Sequence, residues 1–192
     1  MLRSASSILT LVLVSLAIPA SAQNAISADT SMMSGSTVLT TDFYAEKVWK
    51  VSESVSVGPF VYGLASSSPW GEVYAGATVY PVKGNWLAIA FGAGVEHDPS
   101  PIRWAGDVVA IGRGNFALLV LENGGSGFWY KARYVRSLND RIGFGFYSRR
   151  FTGTGPLLEV KATKVLTIWG MAGRDFEDYQ AKGVVGIYIN LQ

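Results

Sequence analysis

The chain has 192 residues, with 16 basic and 14 acidic side chains, one histidine and no cysteine. The near-neutral balance excludes a general electrostatic pull toward nucleic acid, and the missing thiols exclude a disulfide framework, thiol catalysis and a thiolate metal site. Mean hydropathy is +0.25, yet no stretch approaches the ~20 charge-free apolar residues of a membrane-spanning helix.

In chain order, Arg3, the apolar run Ile8 to Ala20 and the small-residue site Ala20-Ser21-Ala22 form the three parts of a secretory signal peptide over 1–22. Cleavage before Gln23 would leave 170 of the 192 residues, a single-domain length. Loss of Arg3 also lowers the basic count from 16 to 15 against 14 acids, a net charge of about +1.

Residues 23–54 read as an N-terminal leader, mostly irregular. Gln23 to Thr41 are rich in Ser, Thr and Ala and carry little periodicity. From Asp42 to Val57, Tyr44, Val48, Val51 and Val55 fit a helical face, while Trp49, Val51, Val55 and Val57 fit alternation interrupted by Glu53. A short helix and an extra strand are both open there.

Residues 55–192 read as strands throughout. About ten strand-length runs, between eight and twelve, follow one another from Val55–Ala65 to Tyr179–Leu191. Their breaks use turn residues, as in Lys83-Gly84-Asn85, Gly112-Arg113-Gly114-Asn115 and Leu138-Asn139-Asp140. The spacing of ~14 residues fits a tilted membrane strand of ~9–11 residues plus a turn. Alternate connections are short and basic, carrying Lys83, Arg113, Arg141 and Lys164.

Two faces follow from the alternation. In the run after Trp86, Leu87, Ile89, Phe91 and Val95 share one face, which is assigned to lipid. The opposite faces collect Glu72, Glu96, Arg103, Asp107, Lys131, Arg133, Arg149, Glu159, Lys161 and Lys182, of both signs. Charges are costly in hydrocarbon, so this set is assigned to a lumen, with Lys131 and Arg133 expected to meet Glu72, Glu159 or Asp107. The small residues Ala88, Ala90, Gly92, Gly94, Gly143 and Gly145 would give the long side chains room. The run Phe116 to Glu122 is apolar on both faces and leaves its own orientation open. Aromatics gather near strand ends as two girdles, Trp70, Trp104, Phe128, Trp129, Phe151 and Tyr179 at one and Tyr80, Trp86, Phe116, Tyr134 and Tyr188 at the other.

With these features the chain resembles the small outer-membrane β-barrel proteins of Gram-negative bacteria. The last ten residues, from Gly183 to Gln192, look like that family's C-terminal assembly signal, although the family usually ends in Phe and this chain ends in Leu191-Gln192. The resemblance implies an all-β, closed, antiparallel up-and-down transmembrane barrel, exported to the periplasm and inserted in the outer membrane by the barrel assembly machinery. It further implies outer-membrane lipids and lipopolysaccharide as surroundings, a monomer, no nucleic-acid partner and no cofactor.

Chemistry has little foothold. His97, Asp98 and Ser100 have the residue types of a hydrolase triad, and barrel enzymes that modify lipid A or phospholipid use such sets, but residues this close in sequence cannot orient one another in series. No catalytic or metal site is therefore assigned; in Glu96-His97-Asp98 alternate residues point to opposite faces. The leading function is a non-enzymatic outer-membrane barrel with a charge-filled lumen, serving envelope integrity, surface interaction or narrow passive permeation. The alternatives are a lipid-modifying hydrolase using His97 and a soluble periplasmic barrel holding an apolar ligand.

Overall fold

A computed structural model describes residues 23–35, 38–67 and 70–191; the expected signal peptide lies outside the described residues. Twelve strands run in order: β1 Gln23–Met33, β2 Leu39–Lys50, β3 Ser56–Ser66, β4 Gly71–Tyr80, β5 Leu87–Glu96 and β6 Ile102–Gly112. Then come β7 Asn115–Gly124, β8 Gly127–Ser137, β9 Ile142–Arg149, β10 Gly153–Lys161, β11 Leu166–Arg174 and β12 Ala181–Leu191. Each pairs antiparallel with its neighbours in sequence, and β1 pairs with β12 from Ile26↔Leu191 to Met33↔Val184, so the sheet closes into an up-and-down barrel with no free edge.

Twelve strands lie at the upper end of the expected range of eight to twelve, two more than its central value. Residues 23–54 are not an irregular leader, because β1 and β2 occupy most of that span and complete the wall. β1 is poor in β-branched and aromatic residues, and it is held as a strand by ladders on both sides, to β2 and to β12. In β2, Tyr44 and Val48 are four residues apart, a spacing that fits a helical turn and twice the strand period equally. Val51 and Val55 lie instead in the β2–β3 connection, where the Val51 and Ser52 amides both donate to Val55 O.

Turn chemistry fixes the register. Arg113 and Gly114 are the two linking residues between the paired Gly112 and Asn115, and both have positive φ, 49° and 75°, as a type I′ hairpin requires. The start of β1, the end of β12 and the connections that follow β2, β4, β6, β8 and β10 lie at one end of the barrel, termed here the terminal rim. The remaining connections form the far rim.

Pleating sorts the side chains. The outer face is a band of exposed apolar groups, including Ile89, Phe91, Val95, Phe144, Leu158 and Ile187. Along β5 it alternates strictly with buried Ala88, Ala90, Gly92 and Glu96. No helix among the described residues is long and apolar enough to cross a membrane. β7 takes the orientation the sequence left open: Glu122 is buried opposite inward Trp129 while Leu119 and Leu121 are exposed. The girdles are thinner than expected, since Trp129, Tyr80, Phe116 and Tyr188 share the inward registers. Trp104 and Phe128 remain outside at the far rim, as do Trp86 and Tyr134 at the terminal rim.

Candidate functional site

Among the described residues, buried polar groups converge in the interior of the barrel. Arg103, on the inward face of β6, is its hub. Arg103 Nη1 donates to Glu96 Oε2 at 2.7 Å, Nη2 to Glu122 Oε2 at 3.3 Å and Nε to the Tyr74 hydroxyl at 2.6 Å, with Glu72 Oε2 3.6 Å from Nε. The single proton of Tyr74 faces both Glu72 Oε2 at 3.0 Å and Glu122 Oε2 at 3.1 Å. Ser126, in the two-residue β7–β8 turn, clamps Glu96 with its amide at 2.9 Å and its hydroxyl at 2.7 Å. Alternation explains the cluster: Arg103 is paired with Gly94 on β5 and Gly124 on β7, glycines that leave space for a long side chain between Glu96 and Glu122.

A second contact crosses the lumen. Lys131 Nζ on β8 donates to Asp42 Oδ2 on β2 at 2.7 Å. β2 and β8 are six positions apart in a ring of twelve, so the pair joins opposite walls. Next to it the Arg149 guanidinium lies over the Trp129 ring, 5.2 Å from its centroid. A third group sits toward the terminal rim, where Arg133 Nε donates to Glu159 Oε1 at 2.9 Å, with Nη2 also bonded there, and the guanidinium lies over Trp169 and Tyr188. On the other side of the lumen, Tyr80 and Tyr44 both donate to the Glu46 carboxylate.

Two apolar clusters pack around these polar groups, one on each half of the wall. Val135, Tyr147, Leu157, Trp169, Met171 and Val184 form one; Phe60, Tyr74, Ala90 and Ala105 form the other. Twelve strands enclose more space than the eight whose side chains just fill a barrel. Here the excess is taken up by aromatic rings: a Cβ at Gly92 would lie 2.8 Å from Phe60 Cζ, so the glycine strip of β5 is covered by rings rather than by the charges expected there. Inward side chains at mid-barrel are shielded from solvent. Inward Leu157 is 0% exposed, Arg103, Tyr74, Tyr147 and Glu122 are each 1% exposed, and Trp169 is 2% exposed. At the far rim a hollow of about 310 Å³ opens, framed by Trp70, Arg150 and Phe151 above Arg103, Trp129 and Arg149.

Of the assigned lumen residues, Glu72 and Arg103 come together, as do Arg133 and Glu159. Lys131 meets Asp42 rather than Glu72, Glu159 or Asp107. Asp107 is half-buried on the inward side of β6, and Lys161 is exposed at the terminal rim, outside any lumen network. Sequence reasoning missed Asp42, Glu46 and Glu122. The first two lie in the span read as a leader, and Glu122 was masked by the Asn-Gly-Gly-Ser-Gly run after it; its two-residue offsets from Val120 and Leu118 were the available signal. Leu87, Ile89, Phe91 and Val95 all lie on the outer face.

The loop residues do not assemble a reactive site. His97 is exposed, its amide donating to Gly71 O, and Asp98 Oδ1 accepts the Ser100 amide at 2.8 Å, a turn contact and not the orientation of an imidazole. Among the described residues no three acidic or histidine side chains are grouped so as to hold a metal ion.

No protein-family model matches this sequence, and no curated protein sequence does. Solved structures are similar in fold. One, from work on the in-meso crystallization of membrane proteins, has a TM-score of 0.62 at 9% identity, covering 88% of this chain and 83% of that one. The KdgM porin in complex with disordered oligogalacturonate has a TM-score of 0.51 at 12% identity, covering 88% of this chain and 99% of its own. The NanC porin has a TM-score of 0.50 at 11% identity, covering 87% and 99%. At such identities the likeness concerns the fold: a closed, all-β, antiparallel barrel of the kind these porins adopt.

Proposed function

We propose that this chain is a non-enzymatic outer-membrane barrel whose lumen is closed by its own side chains, and that it serves envelope integrity or surface interaction rather than bulk solute flow. One observation carries the reading: the most buried side chains, Arg103, Tyr74, Tyr147, Glu122 and Leu157, point into the barrel, while Phe91, 62% exposed, and its outer neighbours point away from it. That is the inverse of a soluble barrel with a polar exterior. Export to the periplasm, insertion by the barrel assembly machinery, contact with outer-membrane lipids and lipopolysaccharide, a monomeric state and chain ends on the periplasmic side belong to the same proposal.

A second reading is narrow passive permeation. It is favoured by the porin names of the fold neighbours and by a lumen whose opposite walls are joined at Asp42 and Lys131 by side chains alone, so that a passage needs rotamer changes and no unfolding. Planar-bilayer recording of the purified barrel separates the two. A silent parent supports the closed barrel, and stable porin-like conductance refutes it. Conductance that appears only in the variant Asp42→Ala with Lys131→Ala identifies that pair as the barrier. Co-extraction with the outer membrane in detergent, with heat-modifiable gel migration, tests the location.

A further inference from the structure

The two rims differ in charge. Every connection of the terminal rim carries or adjoins a cation: Lys50 at β2–β3, Lys83 at β4–β5, Arg113 at β6–β7, Arg141 at β8–β9 and Lys164 at β10–β11, all exposed. Lys47 and Arg136 add to them from outward positions on β2 and β8. Against this stand two exposed acids on the same rim, Glu53 and Asp140. Among the described residues none of these cations takes part in an ion pair. At the far rim two cations are ion-paired instead: Arg150 with Glu177 at 2.6 Å and Lys182 with Asp178 at 2.6 Å.

The apolar side chains on the same turns tell what faces this ring. Val51 is 66% exposed, Leu138 64% and Val165 46%, each in a connection beside one of the cations. Just inside them the exposed rings of Trp49, Trp86 and Tyr134 ring the outer wall, with Lys47 Nζ over Trp49 at 5.6 Å. A soluble polyanion would be served by the cations alone and leave those apolar tips in water. Lipid headgroups take both, since aromatic and aliphatic groups enter the interface while Lys and Arg reach the phosphates.

Resting on the membrane-barrel reading above, we propose that the terminal rim is a circumferential binding surface for anionic phospholipid headgroups, holding negatively charged lipids of the leaflet on the side where β1 begins and β12 ends. Distribution over all five turns makes it a collar rather than a single pocket. Each lipid phosphate held beside one Lys or Arg should favour the anionic lipid about fivefold over a zwitterionic one, an advantage that salt screens.

The test uses the folded barrel in phosphatidylcholine vesicles with trace spin-labelled phosphatidylglycerol or spin-labelled phosphatidylcholine, the motionally restricted fraction being read by electron paramagnetic resonance. Expected are a several-fold preference of the parent for phosphatidylglycerol, its decline in high salt, and its loss in the variant Lys83→Gln, Arg113→Gln, Arg141→Gln, Lys164→Gln. The far-rim variant Arg174→Gln should keep it. Equal association of the two lipids with the inserted parent, or a preference indifferent to salt, overturns the proposal even if the fourfold variant does not fold. Tighter binding of the detergent-solubilised parent to heparin than to phosphatidylglycerol micelles overturns it in favour of a soluble polyanion. A parent that stays outside the vesicles overturns the membrane reading as well, whereas an inserted barrel without lipid preference overturns this inference alone.

Discussion

Gly186, on the inward face of β12, lies beneath Trp169, and a Cβ there would sit 2.5 Å from Trp169 Cε2. The indole cannot retreat, since Tyr147 is 5.2 Å away on one side and Arg133 covers its face. Gly186→Ala should therefore destabilise the barrel by about 1–3 kcal/mol through overpacking. Gly170→Ala, on the outer face with its nearest neighbour at an ordinary 3.7 Å, should cost much less. Denaturant unfolding of both variants in detergent micelles checks the difference. Outside, Phe91 is 62% exposed at the centre of β5, and Phe91→Arg should cost about 2–4 kcal/mol in a bilayer, measured as the unfolding free energy in lipid vesicles. At this scale the sequence was legible where alternation was clean: Phe91 outward and Glu72, Arg103 and Glu159 inward follow from period two. The identity of partners was not, because Lys131 finds Asp42 across the ring, and distance across a closed sheet depends on the strand count.

Strands β3 to β12 were legible because alternating apolar residues and glycine- or asparagine-bearing turns agree with each other there. β1 and β2 were not, since small polar residues in β1 have little strand preference of their own and the spacing within β2 suits two periods. Their ladders supply what local preference lacks: β1 bonds to β2 over Gln23 to Met32 and to β12 over Ile26 to Met33. A chain beginning at Val55 would keep ten strands yet expose the β3 and β12 edges, whose unpaired amides and carbonyls are untenable in hydrocarbon. Such a truncation should lose heat-modifiable gel migration and aggregate, while the chain beginning at Gln23 should retain it. Recovery of a ten-stranded, heat-modifiable barrel from the truncated chain would show that β1 and β2 are accessory.

For the molecule as a whole, a closed sheet with short connections at both rims confines conformational change to side chains, and the interior that occupies the axis is built from residues far apart in the chain. Asp42 and Lys131 are separated by 89 positions. Neighbouring strands can pair through hairpins a few residues long, but this contact has to wait until half the ring has curved round to bring β8 opposite β2. It should thus be absent from the transition state for folding. Removing it with Lys131→Met should leave the folding rate near that of the parent and raise the unfolding rate, by about 150-fold if the lost partner costs ~3 kcal/mol. Refolding and unfolding kinetics in detergent micelles decide it, and a slowed folding limb with unchanged unfolding would place the contact early instead. The ion pair that joins opposite walls would then also govern the lifetime of the native barrel, as a fastening made last and released first.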